Sequence, residues 1–499
     1  MKGILYNLTM DVKSKNIFIF CMIVLIFSMF LGFNKCARFK EKPYTKTAQK
    51  INSNQQKTYE CRPKAGVCDV AEYSSGSLND CPPDKFLPET TICRPQADLC
   101  DAIEYCTGKS PDCPPDGKLS YIKMGENIKI FPKNYPVTGN LTIIWTGKET
   151  IIAYIAITGT QEFCKEDKHG IGFGRAQIKN IHYTIMDPIS AKEHTVFASE
   201  AGGEFYGRRY NAENPVPVFT KDFLSMLWLE YGNIYFAPLK NHFISVENKK
   251  KIIKENKSHE VKSFVALSTG NEIGVVWSDL RGENDGRCVL NFSRYSFSGS
   301  KKGKDTIVSN SASCKNSFSI AWTGSEYGIT WLNKGNSGIY FLRLSASGSK
   351  IGKPLKMQDS SMIGEFPSIV WTGNEFAILW VENKGTNRVI YLTRVDSNGD
   401  KIGENIRVTD SFEDSFSPAL VWTGSEYAMV WLKKLADHNY VYFGRISRSG
   451  SRIGDELRIT DENVSPGHPV VVWTGNTFDI AWIDSKGPVY FNRIGCVPK

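Results

Sequence analysis

Several groups of residues in this 499-residue chain have types and spacings that could support chemistry. Arg294, Arg343, Arg394 and Arg445 each stand 29 residues before a threonine of a following repeat and nine residues ahead of a glycine (Gly303, Gly352, Gly403, Gly454). A ring of guanidinium groups would hold an anionic ligand, but one residue repeated at a fixed strand position points first to structural ion pairs. Glu326, Glu375 and Glu426 are the regular acidic counterparts. Asp479 interrupts the pattern, because other units carry Gly328, Ala377 or Ala428 there, and His468 precedes the first strand of the same unit. Such a pair could move a proton as general acid and base. The run Asp396-Ser397-Asn398-Gly399-Asp400 has the oxygen ligands of part of a calcium loop, yet neighbouring units read Ser-Ala-Ser-Gly and Ser-Arg-Ser-Gly at that turn. A plain turn is therefore expected, with no metal and no cofactor. No H-E-x-x-H occurs, so zinc protease chemistry is not expected.

These residues must be positioned by a repeat. W-T-G-x-E or a close variant begins at Trp322, Trp371, Trp422 and Trp473, at spacings of 49, 51 and 51. A period near ~50 marks a repeat architecture. Weaker copies at Trp145-Thr146-Gly147, Phe219-Thr220-Lys221 and Ser268-Thr269-Gly270 bring the number to seven. All 11 tryptophans fall at this position or nine residues later. Within one unit, Pro367 to Trp371 reads as a strand, Gly373-Asn374 as a two-residue hairpin turn and Phe376 to Val381 as a second strand. Val389 to Val395 and Lys401 to Thr409 complete four strands. Second strands such as FAILWV are apolar on both faces, as blades packed on each side require.

The last unit ends at Lys499, soon after its third strand, whereas Lys123 to Ile130 (KMGENIKI) matches the fourth-strand segment Lys401 to Val408 (KIGENIRV). The expected fold is all-β, a seven-bladed β-propeller closed by its N-terminal strand. The loop between strands two and three varies most in length, so the binding face is expected to be the one that carries it. The first unit has the longest insertion, with His182, His194 and Tyr206-Gly207-Arg208-Arg209-Tyr210, which makes Tyr206, Arg208, Arg209 and Tyr210 candidate contacts beside His468 and Asp479. The repeats resemble those of bacterial surface propellers. The Asp boxes of sialidase propellers are absent, and the expectation is a chain without enzymatic activity.

Seven of the 13 cysteines lie between Cys61 and Cys113, in two copies offset by 32 residues. Cys61, Cys68 and Cys81 match Cys93, Cys100 and Cys113, while Ser74 stands where the second copy has Cys106. Each copy is too small for a core, so cross-links must supply its stability. An odd cysteine remains, free or paired with Cys36, with the array or with a second chain as a disulfide-linked partner. The gaps lack the spacing of zinc sites. The second copy, CRPQADLCDAIEYCTGKSPDCPPD, resembles the carboxy-terminal half of the disintegrin family. That resemblance implies integrin-contacting tips at Val67-Cys68-Asp69 and Leu99-Cys100-Asp101. A cross-linked stalk is the other reading.

Ile17 to Phe33 is free of charge and flanked by lysines, which predicts an N-terminal hydrophobic helix serving as signal peptide or membrane anchor. The domain reading is 1-35 signal or anchor, 36-60 polar spacer, 61-117 disintegrin-like tandem and 118-499 propeller. The net charge of +9 is spread over the chain, so no nucleic-acid partner is expected. The functional expectation is a non-enzymatic recognition or adhesion protein, membrane-anchored or secreted, whose propeller face binds a protein or glycan. The alternatives are a carbohydrate-active propeller enzyme and a disintegrin-like integrin or receptor ligand.

Overall fold

The computed structural model describes residues 59–498 apart from 76–80, 96–100, 102, 116–118, 131–135, 168–169, 187–190, 193–211, 220–222, 241–242, 245–248, 255–259, 281–286, 315–316, 335–337, 359–364, 463 and 486. The expected N-terminal helix and the expected spacer up to residue 58 lie outside the described residues, while Tyr59 and Glu60 at the spacer's end belong to a strand. The chain divides into two compact units, one of residues 1–63 with 71–83, the other of 64–70 with 84–499. In the first, Tyr59–Arg62 pairs antiparallel with Glu72–Ser74, Cys61 is bonded to Cys81, and Arg62 faces Glu72 at 3.4 Å. The second unit repeats this design: Ile92–Arg94 pairs with Glu104–Tyr105, Cys93 is bonded to Cys113, and Arg94 faces Glu104 at 3.3 Å. Because the first copy has a serine where the second has Cys106, Cys68 is bonded to Cys106 of the other copy. With Cys288–Cys314 and a disulfide at Cys496, this is the covalent chemistry of an oxidising, extracytoplasmic compartment.

Among the described residues the rest of the second unit is all-β, with seven successive groups of antiparallel strands. Their first strands are Val137–Trp145, Ala212–Phe219, Glu260–Ser268, Phe318–Trp322, Glu365–Trp371, Asp414–Trp422 and Pro466–Trp473. The third and fourth groups share one ladder contact, Ala312 to Asn333. The last group, Pro466–Trp473, Phe478–Asp484 and Val489–Pro498, pairs at its outer edge with Leu119–Lys123 and Ile128–Ile130.

The motif residues account for the local geometry. In each W-T-G-x-E turn the glycine takes a positive φ, 100° at Gly373, that a Cβ would strain. The threonine hydroxyl then closes the turn: Thr372 Oγ1 donates to the Glu375 carbonyl at 3.0 Å and accepts from its amide at 3.2 Å. The aromatic that follows the glutamate is a wedge. Phe376 packs 4.7 Å from Trp371 of its own sheet and 5.0 Å from Phe341 of the preceding one. Gly328 makes room for it, since a Cβ there would lie 2.4 Å from the Phe376 ring.

Second strands are buried almost end to end, as at Ile273–Leu280. Each core lies between two consecutive sheets, for example Leu379 and Val381 with Met429 and Trp431. Ala481 and Phe491 of the last sheet share a core with Ile152 and Tyr154 of the first. The seven first strands pack side by side in succession, and Pro466–Trp473 lies against Val137–Trp145. This is the arrangement of a β-propeller, with first strands around a central cavity.

Candidate ligand site in the central cavity

The repeating arginines are consumed by structure. Arg394 donates from Nε and Nη2 to the two oxygens of Glu375, each at 2.8 Å, and Arg445 does the same to Glu426 at 2.7 and 2.6 Å. Arg343 reaches Glu326 at 2.8 Å and Arg294 reaches Glu272 at 3.1 Å. The pairs also fasten neighbouring sheets. Tyr427 of the sixth sheet donates to Glu375 of the fifth at 3.0 Å, and Arg294 of the third donates to the Ala346 carbonyl of the fourth at 2.7 Å. These guanidinium groups already have their anions.

Burial by itself would raise the Glu375 carboxyl, but hydrogen bonds from Arg394 and Tyr427 and the charges of Arg394 and Arg448 outweigh it and hold the group below the usual carboxylate range. A depressed carboxyl stabilises the fold above its unfolded value, and that contribution disappears as pH falls through the folded value. Acidification from about pH 4.3 downward should therefore cost the wild type more stability than Glu375→Gln, which starts less stable at pH 7. Urea midpoints against pH check this, and parallel curves for the two proteins would refute it.

Asp479 belongs to the same system, which corrects its reading as a ligand or proton-transfer group. It is fully buried. Both its oxygens take hydrogen bonds from Arg493, at 2.6 and 2.7 Å, and the Thr150 hydroxyl of the first sheet donates at 2.6 Å. Thr477 occupies the motif's glutamate position here, so the carboxylate has moved two residues along the strand, directly across the ladder from Arg493.

The candidate site lies elsewhere. A cavity of about 790 Å³ is lined by residues from all seven first strands, among them Asn140, Asn214, Phe264, Ser319, Ser368, Ser417 and His468, with Ser317 just ahead of the fourth of them and Lys334 from the loop between the second and third strands of the fourth sheet. Asn214, Ser417 and His468 have φ of 50°, 52° and 48°. Each sits where its first strand slips register, between Glu213 and Val216, Phe416 and Ala419, and Gly467 and Val470. Each is followed by a proline: Pro215, Pro418 and Pro469. Proline has no N–H to lose, so it suits a bulge that leaves the ladder. A left-handed non-glycine residue costs about 1–3 kcal/mol, and such costs concentrate at binding sites. Asn140 Nδ2 donates to Asn214 Oδ1 at 3.1 Å and Thr142 Oγ1 to the Pro215 carbonyl at 2.8 Å, which ties the first bulge to the second.

The lining is hydroxyl, amide and apolar groups; among its described members only His468 and Lys334 are ionisable, and none is a carboxylate. His468 is open to the cavity but flanked by protein, and this desolvation holds its imidazole below the usual value, hence neutral at pH 7. His468 and Asp479, expected as a pair, are not brought together: one lines the cavity and the other is sealed under the Thr150 hydroxyl. The sequence pattern missed Asn214 and Ser417. Their signal was the residue before a proline recurring at the start of first strands.

The other candidates fare differently. Tyr206, Arg208, Arg209, Tyr210 and His194 lie outside the described residues. His182 is not in a loop but buried in the strand Gly170–Met186, whose pairing with Thr150–Asp167 makes a hairpin longer than those of the other sheets. The alternation I-H-Y-T-I-M is a strand signature, and it absorbs much of the first unit's extra length. Of the disintegrin-like tips, Leu99 and Cys100 are also outside the described residues, and Asp101 is half-buried. Val67 is 61% exposed, whereas Cys68 is buried in its disulfide. Asp69 is buried too, accepting from the Ala65 and Val70 amides at 2.7 and 2.9 Å. Cys68 and Asp69 are thus corrected from contact residues to residues that shape the loop.

No family model matches this sequence, and no curated protein matches it. Among solved structures it is similar to an oligogalacturonate lyase from Vibrio parahaemolyticus, at 11% identity and TM-score 0.45 over 75% of this chain and 96% of that one. A subtype N10 neuraminidase-like protein of A/little yellow-shouldered bat/Guatemala/060/2010 aligns at 10% identity and TM-score 0.39, over 58% and 94%. An endo-arabinase from Bacteroides thetaiotaomicron aligns at 12% and 0.31, over 48% and 94%. Two of the three are named as enzymes, and the expected absence of enzymatic activity is withdrawn. It rested on missing motifs, and a site assembled from single residues on separate strands leaves no contiguous motif to find. At these identities none of the three passes its activity to this chain.

Proposed function

We propose that this protein is an extracytoplasmic, carbohydrate-directed β-propeller of seven blades, closed where Leu119–Lys123 and Ile128–Ile130 complete the last sheet, and that the central cavity holds the saccharide. One observation carries the reading: a cavity whose donors and acceptors, apart from Lys334, are uncharged, three of them on left-handed bulge residues. Sugar hydroxyls both donate and accept, so amides, hydroxyls and a neutral imidazole complement them without a desolvated charge. A second reading, turnover of the bound saccharide, draws on His468, a neutral base open to the cavity. The tandem at 61–116 serves as a cross-linked stalk and the apolar segment 17–33 as its signal or anchor.

The test is calorimetric titration of the purified chain with a panel of oligosaccharides, with reducing ends followed in parallel. Ser417→Gly removes a hydroxyl from the wall and relieves the backbone cost, so stability should stay within about 1 kcal/mol of wild type while affinity falls several-fold. Appearance of new reducing ends that His468→Ala abolishes would establish turnover. A folded chain that binds no member of the panel, or binds with unaltered affinity after Ser417→Gly, removes the cavity from consideration.

A further inference from the structure

We infer that the saccharide taken by the central cavity is an acidic one, carrying carboxylate or sulfate groups; this rests on the carbohydrate reading of the cavity. The charges of the lining are one-sided. Lys334 contributes an ammonium group, His468 a group that can only become positive, and no described lining residue is a carboxylate. The cations packed between the sheets are neutralised within a few ångströms at Arg394, Arg445 and Arg493, and Lys433 sits against Glu413 at 2.6 Å. Lys334 is exposed, and no described carboxylate pairs with it.

Its position is held from the backbone: the Lys334 amide donates to the Ser311 carbonyl at 2.8 Å, which fixes the loop at the end of Glu326–Asn333. A cation left unpaired at the wall of a concave site with low-dielectric sides concentrates positive potential there. An amino sugar would meet that potential with no acid to offset it, and a neutral sugar would gain nothing from it. An acidic sugar supplies the missing partner, while hydroxyls and amides such as those of Ser317, Ser368 and Asn214 receive its ring hydroxyls.

The experiment uses the full chain and three oligosaccharides of equal length, one of uronic acid residues, one sulfated and one neutral, titrated at low and physiological salt. At least one acidic ligand is expected to bind about ten-fold tighter than the neutral one, with the ratio shrinking as salt rises. Which acidic ligand binds tighter tells carboxylate from sulfate recognition. Lys334→Gln, a change at an exposed side chain, should bring the ratio close to one, through a larger loss for the acidic ligand than for the neutral one. A neutral ligand bound as tightly as both acidic ones, or a preference for acid that survives Lys334→Gln, overturns the inference and leaves the carbohydrate reading intact. Failure of all three to bind the folded chain overturns both.

Discussion

Asp479→Ala is expected to destabilise the array by about 3–5 kcal/mol, because it removes the carboxylate that Arg493 holds through two hydrogen bonds and leaves a buried hydroxyl without its acceptor. Arg493 holds both Asp479 oxygens, and the Thr150 hydroxyl donates to one of them from the adjoining sheet. The loss therefore acts on the ladder of the last sheet and on its junction with the first. Equilibrium unfolding of the variant should show it as a lower urea midpoint, while the folded fraction behaves as wild type in the oligosaccharide titration proposed above. The repeat also supplies a rescue. Thr477→Glu added to Asp479→Ala rebuilds W-T-G-N-E-F-A, the sequence found at Trp371 to Ala377, and should recover most of the lost stability. A single variant as stable as wild type, or one folded but inactive in binding, would return Asp479 to the ligand site.

Trp380→Ala should cost about 3–5 kcal/mol, the usual range for emptying a fully buried tryptophan. Trp380 is 1% exposed, stacks on Tyr391 at 5.0 Å and donates its indole N–H to Thr393 Oγ1 at 2.9 Å. Its counterpart Trp431 is equally buried, yet faces Gly444, and its N–H has no hydrogen-bond partner. Phenylalanine substitutions separate packing from hydrogen bonding at these two sites. Trp380→Phe loses both, and should be worse than Trp431→Phe, which sheds an unmet donor, by about 1 kcal/mol. Thermal melts of the two Phe variants that coincide would show that the Thr393 hydrogen bond contributes nothing.

How far the site could be read beforehand differed by residue. The Trp-Thr-Gly turns, the apolar second strands and the acidic partners of the arginines were legible because each depends on neighbours at a constant offset: Thr372 closes on Glu375, and Arg394 reaches across one ladder to the same residue. Asp479 looked exceptional because its compensation is not local. Thr477, Asp479, Arg493 and Thr150 make sense only when the first and last sheets are side by side, 329 positions apart for the Thr150 bond. The tandem behaved alike. Equivalent cysteines predicted equivalent roles, yet the missing fourth cysteine of the first copy sent Cys68 to Cys106, and Cys68 and Asp69, two of the three residues of a tip that resemblance had placed at a contact surface, are buried.

Periodicity is a property of the chain, so the sequence alone determined an all-β array of four-stranded units, its turn chemistry and the fourth-strand likeness of Lys123 to Ile130. The cavity is a property of the assembly. Its wall takes two or three residues from each first strand, three of them at bulges whose left-handed conformations follow from the slip of one strand against another and from the packing that over-determines them. No single unit contains enough of that wall to betray it, and only the tertiary structure could place Asn214, Ser417, His468 and Lys334 around one space.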